Sequence, residues 1–308
     1  MTLNSLTRAS PLTEWRGTEK DVEASNRRVA PLSLRPTCTP RARMTLSKTL
    51  RTHLIVSVLL LALISAATDA KADRWAVHEQ RGQLELFSEF PVSVDTIERE
   101  LAGVAAELND RLQLKGTGQV VQVVIFNSLQ SYRDYLAGKI PEARSRRAIF
   151  YQRGEQFQIY TFRNRELITD LRHEYTHALL HQSLPYVPLW IDEGLAEFFE
   201  ERPADREKSS RLSSMRWKCR TGWKPSLESL EKIPSAASMN GDNYRDSWAY
   251  VHYLLMESDR TQNEFKEFLQ AISAGAAPGR FSEWSSRRET EVVNRIGSYF
   301  RRIKFSLR

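Results

Sequence analysis

His173 and His177 are one helical turn apart in a segment patterned as an amphipathic helix. Four residues advance a helix by about 40° beyond one full turn, so both imidazoles project from the same side. The polar side carries Asp170, His173, Glu174, His177 and His181, and the apolar side carries Leu167, Ile168, Leu171, Tyr175, Ala178 and Leu179. The apolar side of this helix therefore meets a core, and the histidine side faces a cleft.

Two histidines in this arrangement can bind one zinc ion. A catalytic zinc site takes three protein ligands and keeps one position open for water, so a third ligand is required. The alternative is a pair of surface histidines that binds nothing.

A second helix offers carboxylates for the third position. Pro185 and Pro188 end the first helix, and residues 190–200 form the next one, antiparallel to it. Its polar stripe carries Glu193, Glu197 and Glu200, and its apolar side carries Leu195, Phe198 and Phe199.

We predict Glu193 as the third zinc ligand. Asp192 points about 100° away from it, which suggests a charge at the start of the helix. Glu197 is predicted to orient one of the ligand imidazoles through its other nitrogen. The competing assignment makes Glu197 the ligand.

These two motifs, His173-Glu-x-x-His177 and Trp190-x-x-Glu193-Gly-x-Ala-Glu197, resemble those of the gluzincin metallopeptidases. The similarity is to the peptidase MA-like family of exported bacterial proteins and, more distantly, to the M1 aminopeptidases. It implies a zincin-like catalytic part, one Zn²⁺ per chain and a peptide or protein substrate. It also implies that Glu174 is the general base that takes a proton from a zinc-activated water.

Tyr244 begins a segment similar to the helix that carries the transition-state tyrosine of the M1 enzymes. The resemblance implies that its hydroxyl stabilises the oxyanion formed during hydrolysis. The alternative is an aromatic residue that only packs at the start of a helix.

Two missing motifs argue against a metzincin and against an aminopeptidase. Ser183 stands where a metzincin would have its third histidine, and no G-x-M-E-N string for gripping a substrate's amino terminus precedes His173. In gluzincins, the strand before the zinc helix usually offers an edge to an extended peptide, and residues 157–162 are predicted to fill that role.

Hydrophobic periodicity predicts an α+β protein. Strands are expected within 74–88, at 119–126, and as a hairpin at 148–152 and 157–162, with helices at 94–113 and 131–136 and almost only helix from 164 onward. Strands first and helices second argue against βαβ alternation. The basic stretch 211–224 is predicted to be a solvated loop, or else part of a substrate rim.

The N-terminal region has the pattern of an export signal. Lys48, Arg51 and His53 precede an apolar run at 54–67 and an Ala70-Lys-Ala72 cleavage site. Fourteen apolar residues are fewer than the roughly 20 of a membrane span, which favours cleavage before Asp73 over an uncleaved anchor.

This signal sets the predicted organisation of the chain. We expect a disordered or non-native leader at 1–43, with translation starting at Met1 or Met44, and a signal peptide at 44–72. An N-terminal α+β part with an edge hairpin follows at 73–163, and a helical zinc-binding part at 164–308. The mature protein would then be periplasmic or extracellular, without a stable membrane span.

The charge distribution disfavours nucleic acid as a partner. Residues 1–72 hold 11 basic and five acidic side chains, which leaves 34 against 33 in the rest of the chain. A nucleic-acid binder carries its basic surplus on the folded domain.

The sequence therefore predicts an exported zinc-dependent metallopeptidase. Two alternatives remain open: a non-catalytic, zinc-stabilised protein that binds peptides or cell-wall material, and a zinc amidase that acts on a non-protein amide.

Overall fold

The computed structural model describes residues 74–287 and 292–303. The leader predicted at 1–43 and the signal peptide predicted at 44–72 lie outside these residues. Among the helices of the described part, none combines the length and the apolar character needed to cross a bilayer.

A mixed five-stranded sheet forms the first half of the described chain. Its strands are β1 (Val77–Arg81), β2 (Leu84–Ser88), β3 (Val121–Phe126), β4 (Ala148–Arg153) and β5 (Gln156–Phe162), in the spatial order β1-β2-β3-β5-β4. β2, β3 and β5 run parallel, and β1 and β4 pair antiparallel at the two edges. The predicted strands are present, and the α+β class is confirmed.

The expectation of no βαβ alternation was wrong. Helix α1 (Val94–Leu112) carries the chain from β2 to β3, which pair in parallel with Leu84 opposite Val121. A parallel partner must start from the same end of the sheet, so its connection needs a long crossover rather than a hairpin. The 19 residues of α1 supply that crossover.

The assignment of residues 157–162 to an exposed edge was also wrong. β5 lies between β3 and β4, so the outer strand of the hairpin is β4. β5 has Phe157, Ile159 and Tyr160 buried, whereas the last two residues of β4 are exposed. The more apolar strand therefore takes the interior position, where both of its sides are covered.

Helices make up most of the chain after the sheet. In chain order the remaining helices are α2 (Leu129–Leu136), α3 (Leu167–Ser183), α4 (Leu189–Phe199), α5 (Pro203–Arg206), α6 (Ser210–Arg220), α7 (Leu227–Leu230), α8 (Gly241–Met256), α9 (Asp259–Ser273), α10 (Phe281–Ser286) and α11 (Val292–Arg302). Two 3₁₀ turns occur at Pro141–Ser145 and Ala236–Ser238.

The sheet separates two hydrophobic clusters. On one face, Leu86, Val123 and Ile159 belong to the main core with residues of α1, α3, α4 and α8. On the other face, Val124 and Phe126 pack with α2. The parts predicted at 73–163 and 164–308 thus share one core. Within it, one face of the sheet packs against α3.

Gly194 allows α4 and α8 to approach closely. A Cβ at this position would lie 2.7 Å from the Ser247 carbonyl oxygen and 2.7 Å from Val251 Cγ2. Real Cβ atoms do not sustain such distances, so the absence of a side chain sets the spacing between these two helices.

We expect Gly194→Ala to lower the free energy of unfolding by about 1–3 kcal/mol, because α8 must move away. Gly103→Ala is the matched control, since Gly103 is also inside a helix but is exposed and its Cβ would meet only Arg172 Nη1 at 4.0 Å. Alanine's better helix propensity should stabilise that variant by about 0.5–1 kcal/mol. Urea unfolding measures both, and equal effects would contradict the packing argument.

His252 on α8 is enclosed by aromatic rings. Its centroid lies 4.9 Å from that of Trp248 and 5.7 Å from that of Phe300, and its Nδ1 accepts a hydrogen bond from the Tyr299 hydroxyl at 3.0 Å. Burial, helped by Arg206 and Arg111, lowers the pKa of His252 from 6.5 to about 3.

This shift predicts acid sensitivity. His252 takes up a proton near pH 6.5 in the unfolded chain but only near pH 3 in the folded chain. Neutral His252 therefore makes its full contribution to the free energy of unfolding above pH 6.5, and this contribution is lost as the pH falls from 6.5 toward 3. The free energy of unfolding should fall by up to about 1.4 kcal/mol per pH unit from this group. Urea unfolding of metal-free protein should give a shallower slope for His252→Gln; parallel slopes would contradict the assignment.

Candidate metal centre

Helix α3 delivers the two histidines and Glu174 to one side of the sheet edge. Its apolar side belongs to the main core, as the sequence pattern predicts. Phe150 of β4 packs near the other side, with its ring centroid 6.5 Å from that of His177 and 5.4 Å from that of His181. The histidine side therefore lines the junction between α3 and the outer strand.

Helix α4 brings Glu193 to both imidazoles. Glu193 Oε2 lies 3.8 Å from His173 Nε2 and 3.8 Å from His177 Nε2. This oxygen is buried and makes no hydrogen bond within the described chain. Ligand atoms of the three residues all lie within 4.8 Å of one another, so they could hold one metal ion. Two imidazoles and a carboxylate suit zinc.

The histidines and glutamates of this cluster shift one another's pKa values. Burial opposes protonation of His173, but Glu193 and Glu200 outweigh it and raise the His173 pKa well above 6.5. Burial likewise opposes ionisation of Glu193, yet contacts with His173 and His177 lower its pKa. A cation at this position is thus favoured by the surrounding carboxylates.

Asp192 lies in the first turn of α4, as predicted, and it also orients His177, a role that was not predicted from the sequence. His177 Nδ1 donates to Asp192 Oδ1 at 2.7 Å, and His181 Nε2 lies 3.1 Å from Asp192 Oδ2. Burial raises the Asp192 pKa, but the two histidines lower it far below its usual value. An imidazole has nitrogens on opposite edges, so its two carboxylate partners must come from different directions, as Asp192 and Glu193 do.

Glu200, not Glu197, makes the bracing contact predicted for Glu197. His173 Nδ1 donates to Glu200 Oε2 at 2.8 Å, while Glu197 Oε2 instead pairs with Arg211 at 2.5 Å. Seven residues return a helix to within about 20°, so Glu200 lies closer to the direction of Glu193 than Glu197 does. The sequence already places Glu200 on the same polar stripe as Glu193 and Glu197, and this was the signal for its role.

Arg211 joins the two outer glutamates. Its Nη2 is 2.5 Å from Glu197 Oε2 and 2.6 Å from Glu200 Oε1, and its Nη1 donates to the Glu197 carbonyl oxygen at 2.6 Å. His173, Glu197 and Glu200 also form a set of close donor atoms. Because the Arg211 guanidinium already pairs with both glutamates of that set, the geometry favours Glu193 over Glu197 as a metal ligand.

The segment that contains Arg211 was predicted to be a loop but forms α6. Leu212, Met215 and Cys219 are buried on one side of this helix. The many basic residues of this segment obscure its apolar pattern in the sequence. One of them, Arg211, points inward and pairs with carboxylates of α4. A substrate-rim role, the other possibility, is compatible with its position.

Glu174 is held by the backbone of the edge strand. Its Oε2 accepts a hydrogen bond from the Phe150 N–H at 2.6 Å, and its side chain is 93% buried by neighbours, with 7% exposed. The Phe150 N–H therefore points outward from the sheet, toward α3. Its hydrogen bond fixes one carboxylate oxygen and leaves the other without a hydrogen bond in the described chain.

Tyr244 stands at the first turn of α8, near the same cluster. Burial and the charges of Glu193 raise its pKa, and the nearby Arg146 guanidinium lowers it in part. A cavity of about 520 Å³ opens beside it, lined by Glu197, Ser210, Arg211, Ser214, Gly241, Tyr244, Arg245 and Trp248. Tyr244 thus lines an open pocket and is close enough to Glu193 for the charge of that carboxylate to affect its pKa.

The structure brings all six predicted site residues to one region. His173, His177 and Glu193 converge, with Glu174, Tyr244 and Glu197 around them. Sequence reasoning missed the roles of Asp192, Glu200 and Arg211. No protein-family model matches the chain, and no curated protein matches it in sequence. The gluzincin resemblance therefore rests on the metal-site motifs.

The two glutamates that contact Arg211 allow a matched test of which one supports the metal site. Glu200→Ala and Glu197→Ala each remove an ion pair with Arg211, but only Glu200→Ala removes the contact with His173. We expect Glu200→Ala to weaken zinc binding by about 10- to 100-fold, and Glu197→Ala to weaken it much less. Competition with a zinc-binding dye measures both affinities. A larger loss in Glu197→Ala would restore the assignment made from the sequence.

Proposed function

We propose that this chain is an exported zinc-dependent metallopeptidase of gluzincin type, acting on peptides or proteins in the periplasm or outside the cell. It would hold one Zn²⁺ per chain through His173, His177 and Glu193. Glu174 would act as the general base, and Tyr244 would stabilise the oxyanion.

One observation carries the proposal. Glu193 Oε2 is a buried carboxylate oxygen without a hydrogen bond in the described chain, and it lies at equal distance from two imidazole nitrogens. Leaving such an atom unpaired is costly unless a cation binds there. Both imidazoles use their other nitrogen to donate to a carboxylate, which directs each Nε2 toward the same point.

Glu174 is suited to general base catalysis. Bound zinc supplies Lewis acidity and lowers the pKa of a coordinated water. The Phe150 N–H holds Glu174 Oε2, so the second oxygen can take a proton from the attacking water. The same carboxylic acid can then pass that proton to the leaving amide nitrogen as the C–N bond breaks.

Tyr244 is suited to stabilise negative charge. Burial raises its pKa, so its hydroxyl keeps its proton and can donate a hydrogen bond near neutral pH. A donor positioned in advance for a developing oxyanion contributes a few kcal/mol to lowering the barrier.

A peptide is the substrate that best fits the surroundings. β4 is an edge strand, and its Phe150 N–H points outward at Glu174. An extended peptide can add to such an edge through main-chain hydrogen bonds. The cavity beside Tyr244 has room for a substrate side chain. Export is supported by the signal pattern at 44–72 in the sequence.

Metal content and hydrolysis test the proposal together. Elemental analysis should find about one zinc per chain in the wild-type protein and much less in Glu193→Ala, which lacks the third ligand. Glu174→Gln should keep its zinc and lose peptide hydrolysis by about 10²- to 10⁴-fold. Glu166→Gln, the same change at an exposed position at the start of α3, is the control and should retain both.

The outcomes separate the competing functions. Zinc binding with no hydrolysis of any peptide or cell-wall amide would favour a non-catalytic binding protein. Hydrolysis of cell-wall amides alone would favour an amidase. Hydrolysis that is unchanged in Glu174→Gln would exclude the proposed mechanism.

A further inference from the structure

Arg146 lies at the amino-terminal end of the edge strand and reaches across to α8. It follows the 3₁₀ turn Pro141–Ser145, and one residue, Arg147, separates it from the start of β4. Its side chain is partly buried, and its guanidinium is near enough to the Tyr244 hydroxyl to lower the Tyr244 pKa through a hydrogen bond and its charge. Arg146 therefore stands where the wall formed by β4 meets the wall formed by α8.

Three other arginines around the cleft each have a carboxylate partner, and Arg146 has none in the described part of the chain. Arg147 pairs with Asp170 at 2.9 Å, Arg211 pairs with two glutamates, and Arg245 pairs with Asp246 at 2.7 Å. Among the residues that the structure describes, Arg146 has no carboxylate partner. A partly buried guanidinium whose charge is not balanced attracts an anion, and its planar fork matches a carboxylate.

The direction of β4 indicates which part of a peptide would reach Arg146. Antiparallel strand pairs are more common and slightly more stable than parallel ones. A peptide that pairs antiparallel with β4 has its carboxyl end beside the start of the strand. That end lies on the Arg146 side of Phe150, whose N–H marks the position of Glu174 along the strand.

The contact with Tyr244 limits how far the anion lies from the cleaved bond. Tyr244 is the residue proposed to stabilise the oxyanion, and two residues of extended peptide span only about 7 Å. A carboxylate bound by Arg146 therefore belongs to the first or second residue after that bond.

We propose that Arg146 forms a subsite for a substrate carboxylate on the carboxyl-terminal side of the cleaved bond, within two residues of it. The inference rests on the proposed peptidase function and deepens it. A free C-terminus and an acidic side chain share this chemistry. A free C-terminus would make the protein a carboxypeptidase that removes one or two residues at a time, whereas an acidic side chain would make it an endopeptidase.

Matched peptides test the subsite. A library of short N-acetylated peptides is digested with the zinc-loaded protein, and mass spectrometry identifies a cleaved sequence. That sequence is then made in three forms: with a free C-terminus, as the neutral C-terminal amide, and as the amide with Glu in the first or second position after the bond. We expect kcat/KM to be about 10- to 100-fold higher for at least one carboxylate form than for the neutral amide, mainly through KM. The better form identifies the source of the carboxylate.

Variants assign the preference to Arg146. Arg146→Met should abolish the difference between the peptide forms, and Arg146→Lys should retain part of it. Arg144→Met is the matched control, because Arg144 is an exposed arginine two residues earlier, and it should keep the preference. Zinc content should be unchanged in all three variants, which separates loss of the subsite from loss of the fold.

Two results would overturn the subsite while leaving the peptidase function intact. One is equal cleavage of all three peptide forms by the wild-type protein. The other is an Arg146→Met variant whose kcat falls equally for every form, which would make Arg146 a second donor to the oxyanion.

Absence of hydrolysis would count against the peptidase function, and calorimetric binding of library peptides, each made with a free C-terminus and as the neutral C-terminal amide, would then decide on the subsite. Tighter binding of a carboxylate form that disappears in Arg146→Met supports it. Equal binding of acid and amide forms overturns it.

Discussion

Four buried carboxylates along one helix must be compensated by the elements packed around it. Asp192, Glu193, Glu197 and Glu200 all lie on or at the end of α4, and each of them is largely enclosed by neighbouring helices. Buried anions are unfavourable unless they are paired and hydrogen-bonded. Partners for these carboxylates come from two directions: the imidazoles of His173, His177 and His181 on α3, and the guanidinium of Arg211 on α6.

This compensation also produces an ordered pair of imidazoles. Asp192 and Glu200 take the Nδ1 hydrogens of His177 and His173, so each ring presents its Nε2 to the space beside Glu193. Arg211 keeps Glu200 ionised, because its positive charge and that of His173 lower the Glu200 pKa against the effect of burial. Of these four carboxylates, Glu193 is the one with a buried oxygen that makes no hydrogen bond in the described chain, and a metal ion would supply that oxygen with a partner.

The surrounding architecture determines how the cluster meets a substrate. The absence of a side chain at Gly194 lets α8 approach α4, which brings Tyr244 toward Glu193. On the opposite side, the Phe150 N–H ties Glu174 to the edge strand. Glu174 and Tyr244 therefore belong to two different walls, and Arg146 lies where those walls approach each other.

The convergence of His173, His177 and Glu193 could be predicted because it depends on helical spacing. Residues four apart on α3 must share a face, and the polar stripe on α4 includes Glu193. The hydrogen-bond partners of these residues could not be predicted in the same way. Asp192 was dismissed because it points away from Glu193, although an imidazole needs its second partner from another direction. Glu200 was passed over for Glu197 because the position of Arg211 was unknown.

The sequence by itself determined most strands and helices, the apolar side of α3 and the histidine–glutamate spacing, since these depend on contacts within a few residues. Only the tertiary structure decided that β2 and β3 are parallel, that β4 is the edge strand and that α6 turns an arginine into the metal cluster. Those features depend on contacts between residues that are distant in sequence. Their stability comes from burial and charge compensation between elements, which no local pattern encodes.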